Sequence, residues 1–197
     1  MRTGISFFSS TAGRSRRCLP AGEAKRYDLS DWPYLHFGGE TRRMHPHEEL
    51  IKSFYTSFQK LDADGMVRCY HADIRFSDPV FPALSKTEVG GMWRMLCSQA
   101  KNFDLTFDSI EANQQVGKAH WEAQYDFSAT GRRVHNRIDA SFEFQDGKII
   151  SHTDTFDFWK WSSMALGPAG TLLGWTPLLR RKVQKQARER LERFIYS

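Results

Sequence analysis

The chain has 197 residues, 40% of them hydrophobic and 14% aromatic, with a formal net charge of +5, which suits one domain with a packed core and flanking segments. The charge is uneven: residues 1–43 carry +4, residues 180–193 carry +5 and the body between them carries −4, which argues against a basic nucleic-acid groove in that body. Cys18, Cys69 and Cys97 form no C-x-x-C spacing, so neither a disulfide framework nor a zinc site is indicated, and no apolar run reaches the roughly 18 residues of a membrane span.

Residues 1–22, "MRTGISFFSSTAGRSRRCLPAG", hold four arginines and no acid, and no sustained periodicity appears before Met44. Residues 1–43 therefore read as a disordered extension, an organelle transit segment or an unused upstream start. The globular domain is expected over 44–165, with a connector and a basic helix over 166–197.

Leu50, Ile51, Phe54, Tyr55, Phe58 and Leu61 recur at three- and four-residue spacing, which predicts an amphipathic helix. Asp62 or Asp64 can cap a short second helix at Met66–Tyr70. "IRFSDPVFP" reads as a strand broken at Pro79. "TEVGGMWRMLCSQA" reads as a helix with Thr87 as N-cap and Val89, Met92, Trp93 and Leu96 on its buried side. Four alternating segments follow, "FDLTFDSIEAN", "KAHWEAQYDFSATG", "RRVHNRIDASFEFQDG" and "KIISHTDTFDFWKW", with Thr130-Gly131 and Asp146-Gly147 as hairpin turns. This order predicts an α+β fold, a bent antiparallel sheet wrapped on helices.

Beyond Trp161, "SSMALGPAGTLLGW" reads as an apolar connector, with a flexible lid as the alternative. Thr176 and Pro177 then open an amphipathic helix. Its apolar stripe reads as packing on its own domain, with a membrane-surface helix as the alternative.

The last hairpin holds the chemistry. A two-residue turn at Asp146-Gly147 sets Asp139 opposite Asp154, two like charges across a ladder. A three-residue loop, Gln145-Asp146-Gly147, avoids this and faces Ile138 to Asp154, Ala140 to His152 and Phe142 to Ile150. The predicted inner face then holds Asn136, Ile138, Ala140, Phe142, Ile150, His152, Asp154, Phe156 and Phe158, while Arg137, Asp139, Ser141, Thr153, Thr155 and Asp157 face out. Trp121, Ala123, Tyr125 and Phe127 join the inner side by alternation. The expectation is an apolar concavity containing Asn136, His152 and Asp154. Desolvation in such a wall raises a carboxyl's pKa toward the range of general acid–base catalysis. The bland alternative is a satisfied buried cluster in which Asp154 bonds His152, Asn136 or a backbone amide.

The order of elements, with "FSDPVFP" and "DGKIISHTDTFDF", resembles the nuclear transport factor 2-like superfamily, and within it SnoaL-like polyketide cyclases, ketosteroid isomerases and limonene epoxide hydrolases, over about residues 46–165. The resemblance implies a cone-shaped α+β fold with an internal pocket and frequent homodimers. It matches Asp154 to the last-strand acid of the cyclases and epoxide hydrolases, and Asp78 to the Asp-Pro proton-shuttling base of the isomerases. The isomerases' oxyanion tyrosine falls on Phe54, one place from Tyr55, and their second oxyanion acid near Ala140. The epoxide hydrolases' Arg–Asp pair falls near Trp121 and Ala123, while "RID" at 137–139 faces outward.

The reading that follows is a cofactor-independent enzyme acting on an apolar small molecule. Asp154 is its general acid or base, His152 and Asn136 orient that group or polarise a carbonyl, and Asp78 is a second base. Phe54, Tyr55, Trp93, Trp121, Tyr125, Ile138 and Phe156 are the substrate-binding walls. The alternative is a non-catalytic ligand-binding or dimeric interaction module. No cofactor or metal is expected, since His45 and His47 lack a third ligand and His120 and His135 read as surface residues near opposite strand faces. The chain is expected to be a cytoplasmic homodimer without nucleic-acid or integral membrane contact; a genuine transit segment would make organelle import the alternative.

Overall fold

The computed structural model describes residues 44–197, and the expectations for residues 1–43 lie outside it. Helix α1 spans Pro46–Gln59 and buries Ile51, Phe54, Tyr55 and Phe58, the residues its spacing indicates. Its start is a capping box: the His45 ring accepts the His47 N–H at 3.1 Å, and Glu48 accepts the His45 N–H at 3.0 Å. His47 stacks on Phe144 with centroids 4.0 Å apart. Both histidines thus serve the helix start. Among the described residues no three His, Cys, Asp or Glu side chains are grouped to hold a metal.

Helix α2 covers Ala63–Arg68, with Asp62 accepting the Gly65 N–H at 2.8 Å. It ends before Tyr70, which the sequence pattern assigned to the helix. Tyr70 instead opens strand β1, Tyr70–Ser77. The break of register between Tyr70 and Arg75 hides the alternation that would have marked the first residues of this strand, ahead of the expected start at Ile74. After the short strand β2, Leu84–Ser85, helix α3 runs Thr87–Gln99. Thr87 lies inside α3; the capping position is Lys86, which makes no side-chain cap.

Strands β3 (Asp104–Ala112), β4 (Val116–Asp126), β5 (Arg133–Gln145) and β6 (Lys148–Thr155) complete a curved sheet of order β2-β1-β6-β5-β4-β3. The four expected antiparallel strands are present. The strand expected from "IRFSDPVFP" is present as β1, which begins earlier, at Tyr70, ends at Ser77, and pairs with β6 in parallel. Helices pack on one side of the sheet, the arrangement expected from the pattern of elements and consistent with the cone that the resemblance implies.

The β5–β6 hairpin differs from the three-residue loop. Asp146 and Gly147, at φ 51° and 71°, form a two-residue turn of the kind that needs both residues left-handed. The like-charge clash is relieved by a bulge instead: pairing runs Phe144 to Ile149 and then Glu143 to Ser151, leaving Ile150 as the extra residue. Ala140 therefore faces Asp154, and Phe142 faces His152. This register differs from the expected one by two residues, so the faces keep their membership. The exception lies at the bulge, where Ile149 is fully buried and Ile150 is only partly so.

Strand β6 ends at Thr155, short of the Trp161 expected. Asp157 caps helix α4, Phe158–Leu166, accepting the Lys160 N–H at 3.1 Å, so Phe158 is a helical residue. The expected connector is folded as the end of α4 and helix α5, Pro168–Leu173. Helix α6, Pro177–Tyr196, starts at Thr176 and Pro177 as its sequence indicates. It lies on α3 through buried Leu191, through Ile195 over Gly91, and through an ion pair of Arg188 with Glu88. Among the described residues no helix is long and apolar enough to cross a membrane.

Candidate active site

A cavity of about 300 Å³ lies between the inner face of the sheet and helices α3, α4 and α6. Trp93 and Met92 of α3, Trp121 and Ala123 of β4, Ile138 of β5, and Phe156 line much of it. Helix α6 contributes Val183, Gln186, Ala187 and Arg190, whose spacing of three and four residues is one helical face. Arg190 makes no ion pair or side-chain hydrogen bond with any described residue. Such a volume suits a small, mostly apolar molecule.

The polar groups of the wall form a chain. The Trp93 Nε1–H donates to Tyr70 Oη at 3.1 Å, and Tyr70 Oη lies 2.7 Å from His152 Nδ1. His152 Nε2 lies 3.0 Å from Asp154 Oδ1, which also accepts the Trp121 Nε1–H at 3.2 Å. An imidazole protonated on Nε2 satisfies every donor: the Tyr70 hydroxyl gives to Nδ1, and Nε2–H gives to the carboxylate. Both bonds to Asp154 reach Oδ1, and no described group donates to Oδ2. Two fixed N–H groups therefore hold the carboxyl through Oδ1, and Asp154 lines the cavity. Asn136, across from Ala123 on β4, is 9% exposed, lines the cavity and makes no side-chain hydrogen bond with a described residue.

Asp78 lies in the turn after β1, where its Oδ1 accepts the backbone N–H groups of Val80, at 2.6 Å, and Phe81. Burial pushes its carboxyl up to about 7, with the charge of Asp154 acting in the same direction and the two backbone bonds opposing it. Tyr125, whose hydroxyl accepts the Trp161 Nε1–H at 3.0 Å, is pushed up to about 12, chiefly by burial.

The cavity thus brings together Asp154, Asn136, Asp78, Trp93, Trp121, Tyr125, Ile138 and Phe156. His152 is fully buried, does not line the cavity, and is joined to it through Asp154 on one side and through Tyr70 and Trp93 on the other. Phe54 and Tyr55 are fully buried in the core and are not part of the cavity wall; Phe54 packs edge-on to His152 at 5.4 Å. The buried Tyr55 hydroxyl has no hydrogen-bond partner among the described residues. Sequence reasoning missed Tyr70, Trp161 and Arg190. The 183–186–187–190 spacing in α6 was a usable signal for the last, while Tyr70 was obscured by the bulge in β1.

His120 and His135 do not occupy opposite faces. Both approach Glu122 on the outer side of the sheet, His135 at 2.6 Å and His120 at 3.5 Å, with Arg137 at 3.2 Å and Asp139 bonded to His120 at 2.7 Å. The Arg137 and Asp139 side chains are therefore directed away from the cavity.

A family model described as a SnoaL-like domain matches residues 51–152. Among proteins of curated function none matches in sequence. Of solved structures, an LEH-like epoxide hydrolase from M. tuberculosis is similar with a TM-score of 0.53 and 17% identity, over 65% of this chain and 95% of that one. An NTF2-like protein of unknown function from Burkholderia pseudomallei gives 0.55 and 14%, over 62% and 98%. A hypothetical protein with a ketosteroid isomerase-like fold from Catenulispora acidiphila, in complex with trimethylamine, gives 0.54 and 12%, over 66% and 98%. At these identities the likeness is one of fold.

Proposed function

The chain belongs to the SnoaL-like domain family, and from that premise we propose that it is a cofactor-independent enzyme moving a proton at a carbon beside a carbonyl in an apolar small molecule. The observation that carries this reading is Asp154, which lines an apolar cavity and is held at Oδ1 by Trp121 and His152. In the step proposed, Oδ2 takes the proton from carbon, and the C–H electron pair moves to the carbonyl oxygen. The unpartnered amide of Asn136 donates to the oxyanion that forms. The enolate carbon then closes on an internal carbonyl or is reprotonated at another position, and Asp154 returns the proton, so nothing is consumed. Asp78, near neutrality in its proton affinity, is the second acid–base group.

The test is solvent deuterium uptake beside the carbonyl, measured over a panel of apolar ketones and β-dicarbonyl esters. Asp154→Asn keeps the oxygen that Trp121 and His152 bond but cannot accept the proton. It should lower exchange by about 10²–10⁴-fold while leaving the melting temperature within a few degrees. Unchanged exchange in that variant would refute the role.

The outward placement of Arg137 and Asp139 favours a second reading, a ligand-binding module without chemistry. In that case a compound retained in native mass spectra survives Asp154→Asn, is lost with Trp121→Ala, and shows no exchange even on the wild type. A homodimer belongs to either reading, and the same spectra report its mass.

A further inference from the structure

We propose that the corner formed by α5 and the start of α6 is a docking surface for an anionic lipid bilayer. Leu172, Trp175 and Leu178 are 71%, 70% and 78% exposed, and Leu173 and Trp159 about half exposed. Single exposed apolar residues are ordinary, but five large ones on one corner are not. They are contiguous: Trp159 Nε1 donates to Thr171 O at 3.0 Å, Trp175 Nε1 donates to Leu172 O at 3.1 Å, and Gly174 lies directly against the Trp159 ring. Both indole N–H groups are thereby satisfied within the corner, so the rings can enter an apolar phase without stranding a donor.

Charge selects the occupant. Residues 158–188 contain Lys160, Arg180, Arg181, Lys182, Lys185 and Arg188 and no acid at all. Leu178, Arg181, Lys182 and Lys185 share one helical face by their three- and four-residue spacing, opposite the Val183–Ala187–Leu191 stripe that packs inward. Arg181 and Lys182 have no ion-pair partner among the described residues; Lys185 has only Glu189 at 3.9 Å. Exposed Trp and Leu beside unpaired Arg and Lys match the interface of an anionic membrane, the apolar groups entering the acyl boundary and the cations meeting headgroup phosphates. The corner is also firmly backed, because Gly170 and Gly174 approach the backbone and side chain of Ser162 so closely that no β-carbon fits. This surface is separate from Asp154, and its test does not depend on the proposed chemistry.

The experiment is flotation of the full chain with phosphatidylcholine vesicles, with and without about one-third phosphatidylserine. The expected result is binding to the anionic vesicles that falls about tenfold or more at 0.5 M salt, with a blue shift of tryptophan emission. Trp175→Ser with Leu178→Ser should lose binding about tenfold or more, and Arg181→Glu with Lys182→Glu should abolish the preference for phosphatidylserine. These side chains are exposed, so both variants should keep wild-type circular dichroism and melting temperature. Absence of flotation at low salt overturns the proposal, as does wild-type binding by either double variant. A wild-type dimer that Trp175→Ser with Leu178→Ser converts to a monomer, without vesicle binding, also overturns it and assigns the corner to a second copy of the chain.

Discussion

Asp78 couples the candidate site to stability. Its carboxyl sits at about 7 in the folded chain, chiefly through burial, against about 4 when unfolded. Between those values the unfolded state has released a proton that the folded state retains, so stability falls as pH rises through this window and levels off above it. Asp78→Asn can keep the acceptor for Val80 and Phe81 but cannot ionise. Urea denaturation of that variant should lack the downward slope between about pH 4 and 7 and exceed wild type near pH 8. The gain should be on the order of 2 kcal/mol, discounted from the full shift because the cavity admits solvent. Parallel pH curves for the two proteins would remove the coupling. Tyr55 presents the opposite case, a buried hydroxyl with no partner among the described residues. Tyr55→Phe should raise unfolding free energy by about 1 kcal/mol, read from the same titrations; a loss of stability would mean that the hydroxyl has a partner after all.

At the level of elements, α6 depends on one close approach. A β-carbon at Gly91 would lie 2.5 Å from Ile195 Cγ1 and 2.7 Å from Cδ1, so a side chain at position 91 would force Ile195 to move. Gly91→Ala should cost about 1–3 kcal/mol by overpacking and speed amide exchange in the last turns of α6. Adding Ile195→Ala should restore part of the loss, a coupling that a double-mutant cycle measures. Helices were legible wherever a cap and a periodic stripe coincided, as in α1 and in α6 with Thr176 and Pro177. They were not legible in "SSMALGPAGTLLG", because glycines here serve tight packing of α5 on α4 and carry no side-chain pattern. The β5–β6 register shows a third kind of case. Asp139 and Asp154 do avoid each other across the ladder, since Ala140 faces Asp154 and Asp139 faces Thr155. The solution lies at Ile150, where a bulge leaves no composition signal beyond an ordinary Ile-Ile pair.

Across the described residues, the bent sheet of the α+β fold was legible because the inner face alternates strictly through Asn136, Ile138, Ala140 and Phe142. The polar heart was legible because His152 and Asp154 interrupt that alternation. What could not be read was the far end of the chain of bonds, Tyr70, since nothing local marks β1 as the parallel neighbour of β6. That pairing also dictates an order of events. Tyr70 and His152 are 82 residues apart in sequence, and contacts of such separation must await closure of a long loop. During synthesis, α1 through β5 leave the ribosome before the strand that ties Tyr70, Trp93 and Trp121 together. Until β6 arrives, β1 has an unpaired side. Slotting of β6, the last strand in the chain, into the gap between β1 and β5 should thus be the committing step of folding, and it is β6 that brings Asp154 to the cavity wall.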